Sequence, residues 1–245
     1  MQTGPIDVWL PPPTAPTRRH QTIEVAIFLA LILPPMLLSL VSARQSSEAA
    51  AGQEAGFVTV ASVTIARDTA LVGLILYFLW RNREPLARIG WTHRRLWDEI
   101  GLGLVLYVPV FFLVGWAKQF FESLGLTSPD HPWPALMAHR GAMEQAMAVA
   151  LVIVVAVAEE TLFRGYLILR FAAVFGNTAA AVIVSCALFA IGHTYEGSAG
   201  VATVGLLGLV LALVYVWRGS IVAPVTMHFC QDFIGVVLAP LLAGS

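Results

Sequence analysis

Long apolar stretches are the feature that most constrains how this chain can fold. Seven runs approach the length of about 20 apolar residues with which a helix crosses the hydrocarbon core of a bilayer. Hydrophobic residues make up 58% of the 245 positions and charged residues only 12%, so most of the surface is suited to lipid rather than water. The seven runs lie near residues 22–43, 57–80, 98–121, 143–173, 177–195, 200–217 and 220–242. We therefore predict an all-α fold, a polytopic transmembrane helical bundle with about seven spans.

The distribution of charge predicts how this bundle lies in the membrane. Residues 1–21 form a proline-rich lead-in, and residues 22–242 form a single transmembrane domain. Arginines collect in the loop at 81–97, which the positive-inside rule places in the cytoplasm, and the N-terminus falls on the same side. The net charge is −1, without a run of Lys or Arg. The expected partner is thus the lipid bilayer, and no nucleic acid is expected. Tryptophans that could form an interfacial belt lie near span ends, at Trp80, Trp91, Trp97, Trp116 and Trp217.

Charged side chains inside the fourth span are the first indication of a functional site. Each costs roughly 2.5–3.5 kcal/mol on the insertion scale, so such residues are kept where they pair or act. Glu159, Glu160 and Arg164 lie in the string EETLFRG. Glu160 and Arg164 are four positions apart and share a helix face, which predicts a supporting ion pair. Glu159 is rotated by about 100° from Glu160 and is free to face a cavity as a general base.

Two later spans carry histidines with partners at the same spacing. Phe189 and His193 lie in FAIGH on the fifth span, and His228 and Asp232 lie in HFCQD on the seventh. An imidazole can gain or lose a proton near neutral pH, which suits acid–base chemistry. Phe189 is predicted to form a wall of the site. Asp232 is placed to hydrogen-bond His228 or to share its task.

These three motifs, in this order on separate spans, resemble those of the CAAX protease and bacteriocin-processing family. That family includes the type II CAAX prenyl endopeptidases. The resemblance covers roughly residues 155–235 and implies a catalytic core at about 143–242. The pattern EExxxR, FxxxH and HxxxD or HxxxN is matched residue by residue at Glu159, Glu160, Arg164, Phe189, His193, His228 and Asp232. Many members have asparagine where this chain has Asp232, and an acid is a poorer oxyanion donor unless it is protonated.

The resemblance implies endoproteolysis of a membrane-associated protein or peptide. Amide hydrolysis needs an activated water, a donor to the oxyanion and a proton for the leaving amine. We expect Glu159 with His193 to activate the water, and His228 with Asp232 to stabilise the oxyanion. A metal held by Glu159, His193 and His228, Zn²⁺ or another divalent ion, is an alternative. Because HExxH is absent, water activated by the glutamate without a metal is the preferred interpretation.

Two other functional classes remain open from the sequence. A proton-coupled membrane transporter also uses intramembrane Glu and His, although related halves or paired broken helices are not evident. A non-catalytic immunity or scaffold membrane protein would keep the fold without the chemistry. The sequence assigns no role to Arg67 and Asp68, which fall in the middle of the second span. It also leaves the substrate undefined.

Overall fold

The computed structural model describes residues 16–45, 56–92, 95–129 and 141–243, and over these ranges the chain is helical without a β-strand. The predicted all-α bundle is thus confirmed. Most of the predicted lead-in, residues 1–15, lies outside the described residues, and the first helix already begins at Arg18. The main helices are α1 (Arg18–Gln45), α2 (Phe57–Arg81), α3 (Leu96–Ser123), α4 (Ala142–Phe175), α5 (Thr178–Ile191), α6 (Gly197–Arg218) and α7 (Val222–Leu242).

Six helices of the described ranges are long and apolar enough to cross a membrane, in broad agreement with the predicted seven spans. The exception is α5, whose 14 residues extend about 21 Å at roughly 1.5 Å per residue. This is shorter than the hydrocarbon core of about 30 Å. The predicted fifth span, 177–195, was too long because Gly192 and His193 leave the helix and a 3₁₀ turn at Thr194–Glu196 follows.

The fourth helix is the centre of the bundle. At 34 residues, α4 is longer than a span requires, as predicted, and it packs against α1, α2, α5 and α7. Its stretch from Glu160 to Leu167 is wound as a π-helix, and all eight residues are buried. A second π-helical stretch, Phe233–Leu238, follows Asp232 in α7. π-Helical turns are rare and occur frequently at functional sites.

Large apolar side chains cover the outside of the bundle, as expected for a surface in contact with lipid. Val105, Phe112 and Leu213 are among those more than half exposed. Trp80, Trp97, Trp116 and Trp217 are also exposed near helix ends, as an interfacial belt requires. Trp91 differs, because it packs against the core and its Nε1 donates a hydrogen bond to Thr161 Oγ1 at 3.1 Å. Trp91 thus faces the protein, unlike the other four tryptophans of the predicted belt.

The loop between α2 and α3 packs into the bundle rather than lying on its surface. Its 3₁₀ turn, Leu86–Ile89, ends at Gly90, which has a positive φ of 82°. Ile89 is fully buried, and a Cβ added to Gly165 of α4 would lie 2.6 Å from the Ile89 carbonyl oxygen. The absence of a side chain at Gly165 therefore lets this loop contact the backbone of the π-helical stretch directly.

Candidate active site

The predicted ion pair on α4 is the buried centre of the site. Arg164 Nη1 donates to Glu160 Oε1 at 2.7 Å, and both side chains are buried almost completely. The same carboxylate oxygen accepts a hydrogen bond from His228 Nδ1 of α7 at 2.8 Å. Arg164 also donates from Nη2 to the Gly208 carbonyl of α6 at 3.2 Å. This arrangement joins three helices through one carboxylate and one guanidinium.

Two further carboxylates face the other nitrogen of the same imidazole. His228 Nε2 lies 3.9 Å from Glu159 Oε2 and 3.4 Å from Asp232 Oδ2. Glu159 and Asp232 are partly exposed, at 16% and 26% of their side-chain surfaces, whereas Glu160 is fully buried. Glu159 Oε2 has no hydrogen-bond partner within the described ranges. The adjacent glutamates therefore occupy different environments, as their helical positions predict.

Phe189 lies between the two histidines and the arginine. Its ring centroid is 4.1 Å from Arg164 Cζ, 4.8 Å from the His193 ring and 5.9 Å from the His228 ring. Its carbonyl oxygen lies 2.9 Å from His193 Nδ1. A carbonyl only accepts hydrogen bonds, so Nδ1 of His193 carries the proton and Nε2 of the neutral ring keeps a lone pair.

His193 is the site residue whose position differs most from the sequence prediction. It follows the end of α5 rather than lying on the helix face, with φ −106° and ψ 25°. It still contacts Phe189 four positions earlier. In the part of the chain that the structure describes, no hydrogen bond or ion pair joins His193 to Glu159. The predicted water-holding pair is thus not formed by direct contact.

Among the described side chains, there is no positive indication of a metal site. Over the described ranges, no group of three or more His, Cys, Asp or Glu side chains is placed to hold a metal ion. In the alternative ligand set of Glu159, His193 and His228, Nδ1 of His228 is engaged by Glu160 while Nε2 lies 3.9 Å from Glu159 Oε2.

A second buried polar cluster escaped the sequence analysis. Arg170 of α4 donates to Glu24 of α1 at 2.9 Å and forms two hydrogen bonds to Glu84 of the α2–α3 loop, at 3.1 and 2.5 Å. Tyr166 also donates to Glu24, at 2.6 Å. Glu24 lies in the first turns of an apolar run and Glu84 in a loop, so neither resembled a buried acid. The available signal was Arg170, an arginine within a span that lacked an obvious partner.

Arg67 and Asp68 pair with each other in the unbroken helix α2. Arg67 Nε donates to Asp68 Oδ1 at 2.8 Å. The interaction joins neighbours in sequence, which helical spacing rules do not predict. The two charged residues do not interrupt the second span, because α2 continues from Phe57 to Arg81.

The fold and site together define a polytopic membrane protein with a buried acid–imidazole cluster between α4, α5 and α7. The model of the family described as "Type II CAAX prenyl endopeptidase Rce1-like" matches residues 142–234, from the start of α4 into α7. The match confirms the resemblance indicated by the motifs, all of whose residues it contains. It covers less than half of the chain. No curated protein and no solved structure matches.

Proposed function

We propose that the chain is an intramembrane endopeptidase that hydrolyses a peptide bond of a membrane-associated protein or peptide. The observation that carries this proposal is the surroundings of the buried His228 imidazole. Its Nε2 faces the partly exposed carboxylates of Glu159 and Asp232, and its Nδ1 is hydrogen-bonded to the buried carboxylate of Glu160. Such a site offers a base and a hydrogen-bond donor side by side, as amide hydrolysis requires. The family match supports the same class of activity.

Glu159 is the general base in this proposal. Its side chain is 16% exposed and its buried Oε2 makes no hydrogen bond among the described residues, so the carboxylate is not committed to a protein donor and can accept a proton from water. The resulting hydroxide attacks the carbonyl carbon of the substrate, and the same proton then passes to the departing amide nitrogen as the C–N bond breaks. His193 supports the water through the lone pair on Nε2, because its Nδ1 proton is committed to the Phe189 carbonyl.

His228 stabilises the oxyanion of the tetrahedral intermediate. Glu160 also pairs with Arg164 and acts as an acceptor, so Nδ1 of His228 donates to it and the ring orientation is fixed. When Nε2 also carries a proton, it donates to the negative oxygen that develops during attack. Asp232 is an acceptor while ionised, so we assign it to orient this donor. That role differs from the donor role that an asparagine amide would offer at the same position.

The test is cleavage by the purified protein in liposomes. A peptide library of randomised sequence, attached to a hydrocarbon anchor, is incubated with the protein, and products are identified by mass spectrometry. We expect defined cleavage products from the wild type and none above background from Glu159→Gln or His228→Ala. The control is Arg19→Gln, which removes an exposed arginine at the start of α1. Product formation by Glu159→Gln at the wild-type rate would exclude the mechanism.

A further inference from the structure

Arg67 is a charged side chain in the membrane-spanning part of the protein that the proposed reaction does not use. It lies in the middle of α2, where charge is costly and is kept for pairing or function. Its side chain is 52% exposed, whereas that of Asp68 is 3% exposed. The second oxygen of Asp68, Oδ2, is buried and has no hydrogen-bond partner within the described ranges. The pair therefore leaves the guanidinium half exposed and one carboxylate oxygen without a hydrogen bond in the described ranges.

Helix packing places this pair at about the depth of Glu159. Successive spans run in opposite directions, so α2 and α4 are parallel. Phe57 and Ala61 of α2 share a buried cluster with Ala148 and Val152 of α4. Asp68 follows Phe57 by eleven positions, and Glu159 follows Ala148 by the same number, which is about 16 Å along each axis at roughly 1.5 Å per residue. The contact continues into the π-helical stretch that begins at Glu160.

The guanidinium lies within electrostatic range of the candidate active site. Glu159 of α4 and Tyr195 of the turn after α5 both act electrostatically on Arg67. Asp68 holds the guanidinium by Nε, the nitrogen nearest the helix, at 2.8 Å. Among the described residues, this is the hydrogen bond that Arg67 makes, so the donors of its two terminal nitrogens remain available. They present the forked geometry that binds a planar anion at two points.

We infer that Arg67 is a specificity-determining residue that binds a carboxylate of the substrate, and that Asp68 is a positioning residue that orients it. The inference rests on the proposed peptidase function, because Arg67 gains a role only if a peptide enters beside Glu159. Peptides carry carboxylates on acidic side chains and at the free C-terminus, and both present the same planar group. Arg67 lies outside the segment that matches the family model, so this residue is assigned from the geometry of this chain alone.

The experiment compares matched forms of one peptide that the wild type cleaves in the library assay. One form has a free C-terminal carboxylate, a second has a C-terminal amide, and in a third any acidic side chain is replaced by its amide. We expect kcat/KM of the wild type to fall about tenfold or more when the recognised carboxylate is replaced, as for loss of a charge-assisted hydrogen bond. The form that loses this activity identifies whether the carboxylate belongs to the terminus or a side chain.

The variants Arg67→Gln and Arg67→Lys test the residue directly. Arg67→Gln should abolish the preference, so that kcat/KM no longer differs between the carboxylate peptide and its amide form. Arg67→Lys should retain part of the preference for the carboxylate peptide, because lysine keeps the positive charge but cannot bind the carboxylate at two points. Arg19→Gln is the matched control and should keep the wild-type preference.

Three outcomes would overturn the inference and are distinguishable from failure of the proposed function. Equal cleavage of every form by the wild type would remove carboxylate recognition while leaving the peptidase intact. An equal loss of kcat/KM on all peptide forms in Arg67→Gln would assign Arg67 to the general electrostatics or to the folding of the site. A lowered thermal midpoint of the variant would indicate folding, and an unchanged midpoint would indicate electrostatics. A preference that persists in Arg67→Gln would place recognition elsewhere. If the wild type cleaves nothing, the proposed function itself fails.

Discussion

At the scale of single residues, the two adjacent glutamates differ in burial and in the contacts that they make. Glu160 is fully buried and contacts both Arg164 and His228, whereas Glu159 is partly exposed and lies 3.9 Å from His228. A helix that turns by about 100° per residue directs neighbouring side chains to different faces. The sequence therefore predicts that the two acids differ, and contacts with other helices determine how.

We predict that substitutions of the two glutamates have different effects on the stability of the protein. Glu160→Gln should lower the thermal midpoint in detergent markedly, because it leaves Arg164 as a buried charge without a compensating anion, a loss of about 3–5 kcal/mol in comparable buried pairs. Glu159→Gln should leave the midpoint close to that of the wild type, because its Oε2 makes no hydrogen bond over the described ranges. Equal destabilisation by both changes would contradict the division of roles.

The partner of His228 shows what the sequence leaves undetermined. Spacing within α7 indicates Asp232, which does face Nε2 at 3.4 Å. Nδ1 instead donates its hydrogen bond to Glu160, 68 positions away on another helix. Helical periodicity predicts contacts within a helix, whereas contacts between helices depend on rotation and tilt, which periodicity does not fix. The seven motif residues were thus accessible from the sequence, but not the pairings between their helices.

At the scale of elements, the π-helical stretches mark the limits of prediction. Glu160 begins one of them, and Asp232 immediately precedes the other. An apolar run predicts a helix without distinguishing α from π winding, because both keep backbone hydrogen bonds within the segment. The end of α5 before His193 was likewise not predicted, because residues 177–195 are apolar enough throughout to predict a continuous span.

The contact of the α2–α3 loop with α4 yields a prediction about glycine. Gly165→Ala should destabilise the protein by about 1–3 kcal/mol, as overpacking does, because the new methyl group would lie 2.6 Å from the Ile89 carbonyl oxygen. The control is Gly73→Ala in α2, which meets no atom within 4 Å and should stabilise by about 0.5–1 kcal/mol. Thermal midpoints in detergent compare the two. An unchanged midpoint for Gly165→Ala would show that the loop can move away without cost.

At the scale of the whole molecule, Arg170 links parts of the chain that are distant in sequence. It joins Glu24 of α1 and Glu84 of the α2–α3 loop to α4. All three side chains are almost completely buried, and the carboxylates accept further hydrogen bonds from Tyr166, Arg81 and Asn82. This cluster lies outside the predicted catalytic residues, so its loss should reveal a structural rather than a chemical role.

We predict that Arg170→Met causes a large loss of stability, of about 3–5 kcal/mol, because two buried carboxylates lose their central cation. The matched control is Arg81→Met, which removes a cation from the same Glu24 but has a side chain that is 43% exposed. The exposed ion pair of Arg81 with Glu24 should contribute about 1 kcal/mol or less to the free energy of unfolding. Thermal unfolding of both variants in detergent provides the comparison. Similar losses would show that burial does not decide the strength of these contacts.

The close contact between the α2–α3 loop and Gly165 has a practical consequence for protein engineering. Connecting segments on a protein surface ordinarily accept epitope tags, fluorophores or fused domains. Here Ile89 is fully buried and Gly90 accepts a hydrogen bond from the Ile221 amide at 3.1 Å, so an insertion would disrupt contacts with the π-helical stretch of α4 and with the start of α7. Labels for following this protein in cells should therefore not be inserted between Leu86 and Gly90.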